Sequence, residues 1–208
     1  MSDKREQYAR KAAGWSDGEY ANARAYLEHR AALVAGLGVP LRPGDEVLDL
    51  ACGDGGLGPF LVGRGLRYRG VDGEPAMADA ARARLARIAQ VEVGDLNTWE
   101  PTERVAATTV FRAIYYADDH AALFRRVAGF TERKLVFDLN PRRSAIATVT
   151  DELRAAGFRH VELRPFFVPQ SRRLPGAALA ALKGLERSGP LARVALRHRF
   201  TYFVAAVR

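Results

Sequence analysis

The stretch that decides the fold is Val47-Leu-Asp-Leu-Ala-Cys-Gly-Asp-Gly-Gly-Leu-Gly58. A short apolar run ends here in a loop that is rich in glycine, and a helical pattern follows at once. Glycine lets the backbone turn tightly and leaves its N–H groups open to a ligand, which a helix N-terminus also favours. The segment therefore predicts a strand–loop–helix unit with a ligand site at the loop.

Strand and helix patterns alternate on both sides of this unit. A helix is predicted from a capping box at Ser16–Glu19 to about residue 36. The predicted strands are residues 46–50, 68–71, 90–93, 105–115, 134–139, 158–168 and 198–207. The predicted helices in between are residues 57–64, 75–90 and 119–129, one that ends near residue 156, and two pieces within 174–196 that break at Ser188-Gly-Pro190. This order predicts right-handed βαβ units, a mostly parallel sheet covered on both faces, and a last pair of antiparallel strands.

Composition bounds the class of protein. The chain has 208 residues, of which 48% are hydrophobic and 27% charged, as in an ordinary globular domain. It contains no apolar run long enough to cross a bilayer and no apolar core of a signal peptide, so we expect a cytoplasmic protein. Cys52 is the only cysteine, and no pair of histidines has the spacing of metal ligands, so we expect neither disulfides nor a metal site.

The glycine loop permits two interpretations. Gly53, Gly55 and Gly58 satisfy the dinucleotide pattern G-x-G-x-x-G, and Asp72 follows at the distance expected for an acid on a ribose diol. An NAD(P)-dependent oxidoreductase is therefore one alternative. A carboxylate at Asp49 opposes it, because that charge would repel a pyrophosphate but suits an ammonium or sulfonium group.

Two more observations disfavour a dinucleotide. Asp95 ends the third predicted strand, where a carboxylate can accept a hydrogen bond from an exocyclic amine such as that of adenine. The residues four positions after Tyr115 and Tyr116 are Asp119 and His120, so the lysine of a dehydrogenase catalytic set is missing. The ordered acids favour a cationic nucleoside ligand.

At these motifs the sequence resembles the class I S-adenosylmethionine-dependent methyltransferases, specifically their small-molecule branch. The resemblance lies in residues 47–61, 70–77, 94–96, 109–116 and 134–140. It implies an α/β, doubly wound, Rossmann-like sheet of strand order 3-2-1-4-5-7-6 with an antiparallel last strand. It also implies S-adenosylmethionine as the cofactor, with the transfer of its methyl group to a small or lipid-like molecule as the activity.

The resemblance assigns cofactor roles to single residues. Asp49 and the backbone of Ala51–Gly55 would hold the methionine part, Asp72 the ribose hydroxyls, and Asp95 the adenine amine. The other residues implied in cofactor binding are Cys52, Gly53, Gly55, Gly73, Met77, Leu96 and Arg112. From the N-terminal segment, Tyr8, Trp15, Tyr20 and Arg24 are expected to help close the site.

The sequence carries no strong catalytic motif, and methyl transfer depends mainly on positioning. Tyr115 and Tyr116 are candidates for the acceptor pocket, with core packing as the alternative. His120 is a candidate general base, with an exposed place in a first helical turn as the alternative. Arg142 and Arg143 are candidates for gripping an anionic group of the acceptor, with a solvated loop as the alternative.

Positive charge is concentrated in the last third of the chain. Residues 1–133 carry a net charge of −1 and residues 134–208 a net charge of +9. An anionic acceptor, a membrane surface and nucleic acid are each compatible with this charge. No aromatic platform accompanies it, so we predict no nucleic-acid binding.

Residues 172–197 are open to three interpretations: a substrate lid, a peripheral membrane contact, or a helical crossover packed on the sheet edge.

The sequence thus predicts one methyltransferase domain over residues 1–208, with a helical cap (1–38), a cofactor-binding core (40–165) and a helical insertion with the last strand (166–208). Three alternatives remain open. They are an RNA or protein methyltransferase that docks through its basic third, a non-catalytic module that binds the cofactor, and an NAD(P) oxidoreductase.

Overall fold

A computed structural model describes residue 12, residues 14–195 and residues 201–208. Its centre is a seven-stranded sheet made of β1 (Glu46–Leu50), β2 (Arg67–Asp72), β3 (Gln90–Val93), β4 (Val105–Val110), β5 (Thr131–Leu139), β6 (His160–Pro165) and β7 (Tyr202–Val207). Around it lie the helices α1 (Trp15–Glu19), α2 (Ala23–Gly36), α3 (Gly58–Val62), α4 (Pro75–Leu85), α5 (His120–Phe130), α6 (Ile146–Ala155), α7 (Gly176–Glu186) and α8 (Pro190–Ala195).

The order of the strands is β3-β2-β1-β4-β5-β7-β6. The first five pair in parallel, and β7 lies antiparallel to both β5 and β6. The predicted strand order and the predicted antiparallel pair are therefore confirmed. β1 lies between β2 and β4, with Asp49 beside Gly70 on one side and Thr109 on the other.

The sheet separates two apolar cores. One core packs α2, α3 and α4 against one face, with Leu27, Val34 and Leu61 among its buried members. The other packs α5 and α6 against the opposite face, around Phe124 and Leu153. Both faces of the parallel strands are thus covered, as such strands require.

The predicted N-terminal helix is in fact two helices, and the predicted capping box is wrong. The side chain of Asn22 accepts a hydrogen bond from the backbone N–H of Ala25 and begins α2 afresh. The hydroxyl of Ser16 donates to Asp54 instead of capping its own helix. Asn22 is a favoured N-cap residue, so the chain breaks where a local cap is available.

β4 is shorter than predicted. It ends at Val110, residues 111–113 are irregular, and a 3-10 turn follows at Ile114–Tyr116. Arg112 has a φ of +57°, a left-handed conformation that no strand accommodates. Its backbone N–H donates to the carboxylate of Asp138 at the end of β5, over 2.6 Å. A contact between strand ends, and not the local pattern, therefore decides where β4 stops.

The tail contains the two predicted helical pieces, α7 and α8, with Gly189 at a φ of +60° between them. The predicted last strand was to begin at His198, which lies outside the described residues; its described part is β7. Among the described residues, no helix has both the length and the apolar character needed to span a membrane. The division into cap, core and insertion stays a prediction.

Candidate functional site

A cavity of about 590 Å³ opens at the carboxyl ends of the parallel strands. Twelve predicted site residues line it: Asp49, Ala51, Cys52, Gly53, Asp72, Gly73, Met77, Asp95, Leu96, Arg112, Tyr115 and Tyr116. Four others do not belong to its described wall, namely Gly55, His120, Arg142 and Arg143. Ligands of open α/β sheets bind at this edge, so the cavity lies where the fold places a site.

Asp49 is a buried carboxylate in the cavity wall, with 3% of its surface exposed. The hydroxyl of Tyr68 donates to one of its oxygens over 2.8 Å, and that of Thr109 donates to the other over 2.6 Å. No described lysine, arginine or histidine forms a salt bridge with it. Burial raises the pKa of Asp49 to about 6, although the two hydroxyl bonds favour the ionised form. A cationic ligand would match this charge.

The glycines of the loop have different tasks. Gly53 has a φ of +57°, and a Cβ atom added there would meet no atom within 4 Å, so its backbone is open to a ligand. Gly55 has a φ of +70°, and an added Cβ would lie 2.8 Å from Cδ1 of Leu85. Gly55 thus permits close packing against α4. Gly55 does not belong to the described cavity wall, and its contact with the cofactor stays a prediction.

Asp72, at the end of β2, is held by the loop that it faces. Its carboxylate accepts hydrogen bonds from the backbone N–H groups of Gly53, over 2.7 Å, and of Glu74, over 2.9 Å. Each carboxylate oxygen can accept a second hydrogen bond, so both retain capacity for ligand hydroxyls. Burial raises the pKa of Asp72, while the two backbone bonds favour the ionised form.

The third predicted acid is arranged differently. Asp95 is exposed, and it accepts a hydrogen bond from the backbone N–H of Asn97 over 2.8 Å. Leu96 beside it is buried, and so is Met77 on α4, and both line the cavity. This end of the cavity therefore has apolar walls and a carboxylate at its rim, which suits a flat aromatic ring with an amine at its edge.

Two left-handed residues other than glycine mark the ends of neighbouring strands. Ala51 follows β1 with a φ of +60°, and Arg112 follows β4 with a φ of +57°. Both line the cavity. Such conformations are costly for residues with a side chain and persist mainly where function requires them. Arg112 also reaches Glu19 of α1 with its guanidinium, over 3.0 Å, and so joins the rim to the N-terminal segment.

Tyr115 and Tyr116 line the cavity mouth and are each nearly half exposed, at 45% and 46%, so core packing does not explain them. Their ring centroids are 4.6 Å apart. Partial burial, with Tyr116 close by, raises the pKa of Tyr115 to about 12. The guanidinium of Arg143 lies 5.1 Å from the ring centroid of Tyr115, outside the described cavity wall but next to it.

His120 occupies the first turn of α5, behind the N-cap Asp119, and its ring faces that of Phe124 at 6.3 Å. It does not belong to the described wall, which fits the alternative of a surface helical residue. Arg142 lies in the turn after β5, where its backbone N–H donates to the side chain of Asn140. No group of three potential metal ligands occurs in the described part of the chain.

Asp54 is a buried carboxylate in the cavity wall, 1% exposed, which the sequence pattern did not single out. It accepts hydrogen bonds from the backbone N–H and the hydroxyl of Ser16, and forms a salt bridge of 2.8 Å with Arg84. It therefore ties α1 to the glycine loop and to α4. Trp15 and Tyr20 of the same N-terminal segment line the cavity as predicted, whereas Arg24 is exposed outside its wall, and Tyr8 lies outside the described residues.

Arg30 of α2 is a second wall residue that the sequence did not single out. It is 4% exposed and lines the cavity among aromatic rings. Arg30 lies three residues after Leu27 and four before Val34, on the predicted apolar side of the helix, so the helical spacing did carry a signal of its burial.

Part of the chain is similar in sequence to known methyltransferases. Residues 47–133 match a family model described as "Methyltransferase domain". The trans-aconitate 2-methyltransferase of Methylobacterium radiotolerans is 33% identical over 93 residues, which cover 44% of this chain and 35% of that protein. The Escherichia coli enzyme of the same name is 33% identical over 88 residues, 41% of this chain and 34% of its own. The chain thus matches about a third of the length of these curated relatives.

Solved structures match over more of the chain. A TehB-like S-adenosylmethionine-dependent methyltransferase from Corynebacterium glutamicum superposes with a TM-score of 0.63 at 18% identity, over 100% of both chains. The methyltransferase in a complex with the Trm112 activator from Haloferax volcanii gives a TM-score of 0.67 at 22% identity, over 96% of both chains. At these identities the likeness is one of fold.

The sheet and the family match together define the class. The chain has the fold of the class I S-adenosylmethionine-dependent methyltransferases, and its residues 47–133 match the methyltransferase domain model. The predicted resemblance and fold are confirmed, and the findings support the predicted enzyme class and the predicted cofactor, S-adenosylmethionine.

Proposed function

We propose that this protein transfers a methyl group from S-adenosylmethionine to a small molecule that binds beside Tyr115 and Tyr116. The observation that carries the proposal is the buried carboxylate of Asp49, which forms no salt bridge with a described residue and lines the cavity near the start of the matched residues 47–133. Bound cofactor would supply a methyl group activated by a positively charged sulfur.

The cofactor would be held by residues from three strand ends. Asp49 would hold its amino-acid end, for which the empty space beside Gly53 leaves room, and Asp72 would hold its ribose hydroxyls. Met77 and Leu96 would pack on the adenine, with Asp95 at the rim for the amine. The fit is one of charge and shape, because acids meet the cationic and hydroxyl groups and apolar side chains meet the ring.

Catalysis would rest on positioning, since an in-line displacement needs little else. His120 is placed poorly for a general base, because it does not belong to the described cavity wall. The pKa of Tyr115 is raised to about 12, so its phenol is protonated at neutral pH, as that of an ordinary tyrosine is. Tyr115 would thus orient an acceptor by donating a hydrogen bond, and Arg143 behind its ring would favour an anionic acceptor.

The first experiment is calorimetric titration. S-adenosylmethionine and S-adenosylhomocysteine are expected to bind, and NAD and NADP are not. Tight binding of NAD without a response to S-adenosylhomocysteine would favour the oxidoreductase alternative. A screen with methyl-labelled cofactor and small-molecule fractions then separates an enzyme from a non-catalytic binding module, because only the enzyme transfers label.

The same screen tests the acceptor class through two pairs of arginines. Replacement of Arg142 and Arg143 by alanine is expected to reduce turnover more than replacement of Arg172 and Arg173. The first pair follows β5 at the cavity edge, and the second is exposed before α7. A greater loss of turnover on replacement of Arg172 and Arg173 would favour a macromolecular acceptor.

The basic last third of the chain motivates the second candidate, an RNA or protein methyltransferase. Binding through summed surface charge falls steeply with salt, whereas an anion held in a pocket by one or two arginines is less sensitive. We expect no appreciable binding of duplex DNA or structured RNA at physiological salt. Sub-micromolar RNA binding at 150 mM salt would support the macromolecular candidate instead.

A lipid-like acceptor and a peripheral membrane contact through residues 172–197 remain part of the proposal. Their motivation is the exposure of two apolar side chains of α8, Leu191 at 66% and Val194 at 58%. Sedimentation with vesicles that contain anionic lipid tests this contact. If the same amount of protein sediments with and without vesicles, the segment 172–197 does not contact membranes, and the lid and the packed crossover are the remaining interpretations. The predicted cytoplasmic location is likewise untested.

A further inference from the structure

Charge is distributed unevenly around the cavity. The described wall contains six carboxylates, which belong to Asp49, Asp54, Asp72, Glu74, Asp95 and Asp118. Its described positive side chains are those of Arg30 and Arg112. Arg112 is already matched by the salt bridge of 3.0 Å to Glu19. Arg30 is thus the cation of the described wall that has no salt bridge.

The surroundings of Arg30 are mostly aromatic. Its guanidinium carbon lies 4.5 Å from the ring centroid of Phe111 and 4.9 Å from that of Tyr26. One terminal nitrogen donates to the hydroxyl of Tyr26 over 3.0 Å. The buried Nε atom has no hydrogen-bond partner among the described residues. Asp138 and Asp49 act on the guanidinium electrostatically, but neither forms a salt bridge with it.

Such an arrangement is expensive for folding alone. A guanidinium stays protonated in proteins, so its burial removes hydration from a full charge, and each unpartnered N–H adds to the cost. Well-packed apolar residues usually serve stability as well as a buried charge, or better. A buried, incompletely bonded arginine in a ligand cavity is therefore better explained by a ligand than by the fold.

We infer that Arg30 is the receptor in this cavity for a carboxylate of the bound ligand. The planar fork of a guanidinium matches the two oxygens of a carboxylate, and the rings around it hold it in place. Two molecules of the proposed reaction supply this chemistry: the methionine end of the cofactor and a carboxylated methyl acceptor. The inference rests on the proposed function, and the experiment below separates the two sources.

The test uses the full chain with Arg30→Met, and Arg24→Met as the matched control from the exposed face of the same helix. Calorimetry measures the affinity for S-adenosylhomocysteine and for 5′-methylthioadenosine, which lacks the amino-acid end. It then measures benzoate, with benzamide as its uncharged counterpart, on protein saturated with S-adenosylhomocysteine. Thermal melting without ligand shows whether each variant folds.

If the cofactor supplies the carboxylate, Arg30→Met weakens S-adenosylhomocysteine roughly thirtyfold or more, which is the loss typical of one partner of a buried charge pair. Methylthioadenosine then binds both proteins equally. If the acceptor supplies it, S-adenosylhomocysteine is unaffected, and benzoate, but not benzamide, binds the unmodified protein more tightly than the variant. Arg30→Lys keeps the charge without the fork and is expected to retain part of the affinity.

The inference is wrong if S-adenosylhomocysteine binds both proteins within twofold and benzoate also makes no difference between them. It is also wrong if ligand-free Arg30→Met melts several degrees lower while its ligand affinities are unchanged, because Arg30 would then serve the fold. Absence of binding by both nucleosides to the unmodified protein is a different result, which would overturn the proposed function itself.

Discussion

The replacement Asp49→Asn should stabilise the ligand-free protein and weaken its binding of the cofactor. Burial raises the pKa of Asp49 from 3.8 to about 6, so the ionised carboxylate is less stable in the folded chain than in the unfolded chain. Each pKa unit corresponds to about 1.4 kcal/mol, and the shift therefore costs about 3 kcal/mol once both states are ionised. Asparagine keeps the shape and removes the charge.

The sign of the pH dependence follows from the raised pKa. Between pH 3.8 and about 6 the folded chain holds a proton at Asp49 that the unfolded chain has lost, so this residue's contribution to stability falls as pH rises through that window. Asp49→Asn should thus raise the free energy of unfolding by about 3 kcal/mol at pH 8 and by less than about 1 kcal/mol at pH 4. Urea denaturation at the two pH values measures both gains.

Ligand binding should show the opposite preference. The ammonium group of S-adenosylhomocysteine would pair with the ionised carboxylate, so the affinity for this ligand should fall below pH 6, by up to about tenfold per unit. Asp49→Asn should bind it roughly thirtyfold more weakly at pH 7 and show little pH dependence between pH 5 and 7. Equal affinities of the two proteins, or a variant that is less stable at pH 8, would refute the reasoning.

Three further changes test neighbouring parts of the structure. Asp72→Ala should lower the affinity for S-adenosylhomocysteine at least about tenfold in calorimetry while the protein still folds, because ribose hydroxyls would lose a charged acceptor. Asp54→Ala should lower the free energy of unfolding by about 2 kcal/mol, because the buried backbone N–H of Ser16 loses its partner; hydrogen exchange at α1 should rise with it. Burial and the charge of Arg133 lower the pKa of Lys134 to about 8. The folded chain therefore releases this proton at lower pH than the unfolded chain, and the free energy of unfolding should rise by about 2 kcal/mol between pH 8 and 9.5. Lys134→Met should remove that rise, as measured by chemical denaturation.

Local signals were sufficient to predict the sheet. A strand followed by a glycine loop and a helix gives β1 and α3, and the acids at or just after the ends of the next two strands, Asp72 and Asp95, line the cavity. The order of these motifs also predicted β7 and β6, because the alternation leaves no room for another βαβ unit. These features depend on neighbours in sequence or on a fixed topology, so a single sequence contains them.

Contacts between distant segments were not predictable in the same way. The end of β4 depends on Asp138, 26 residues beyond Arg112. The burial of Asp54 depends on Ser16, 38 residues before it. Asp54 is polar and lies in a glycine-rich loop, where solvent exposure is the ordinary expectation. The packing of α1 onto this loop makes it an interior group, and periodicity carries no information about that packing.

Asp49 and Arg30 belong together physically, although neither forms a salt bridge in the described structure. The charge of Arg30 lowers the pKa of Asp49, opposing the larger effect of burial. Arg30→Met should therefore raise that pKa further, and the pH below which S-adenosylhomocysteine affinity falls should move above 6. Titrations of both variants between pH 5 and 8 measure the shift, and Asp49→Asn, which lacks the titrating group, should show none. If the pH midpoint of S-adenosylhomocysteine binding is the same in Arg30→Met as in the unmodified protein, solvent screens the two charges from each other. The cavity would then contain more water than the burial of both residues indicates.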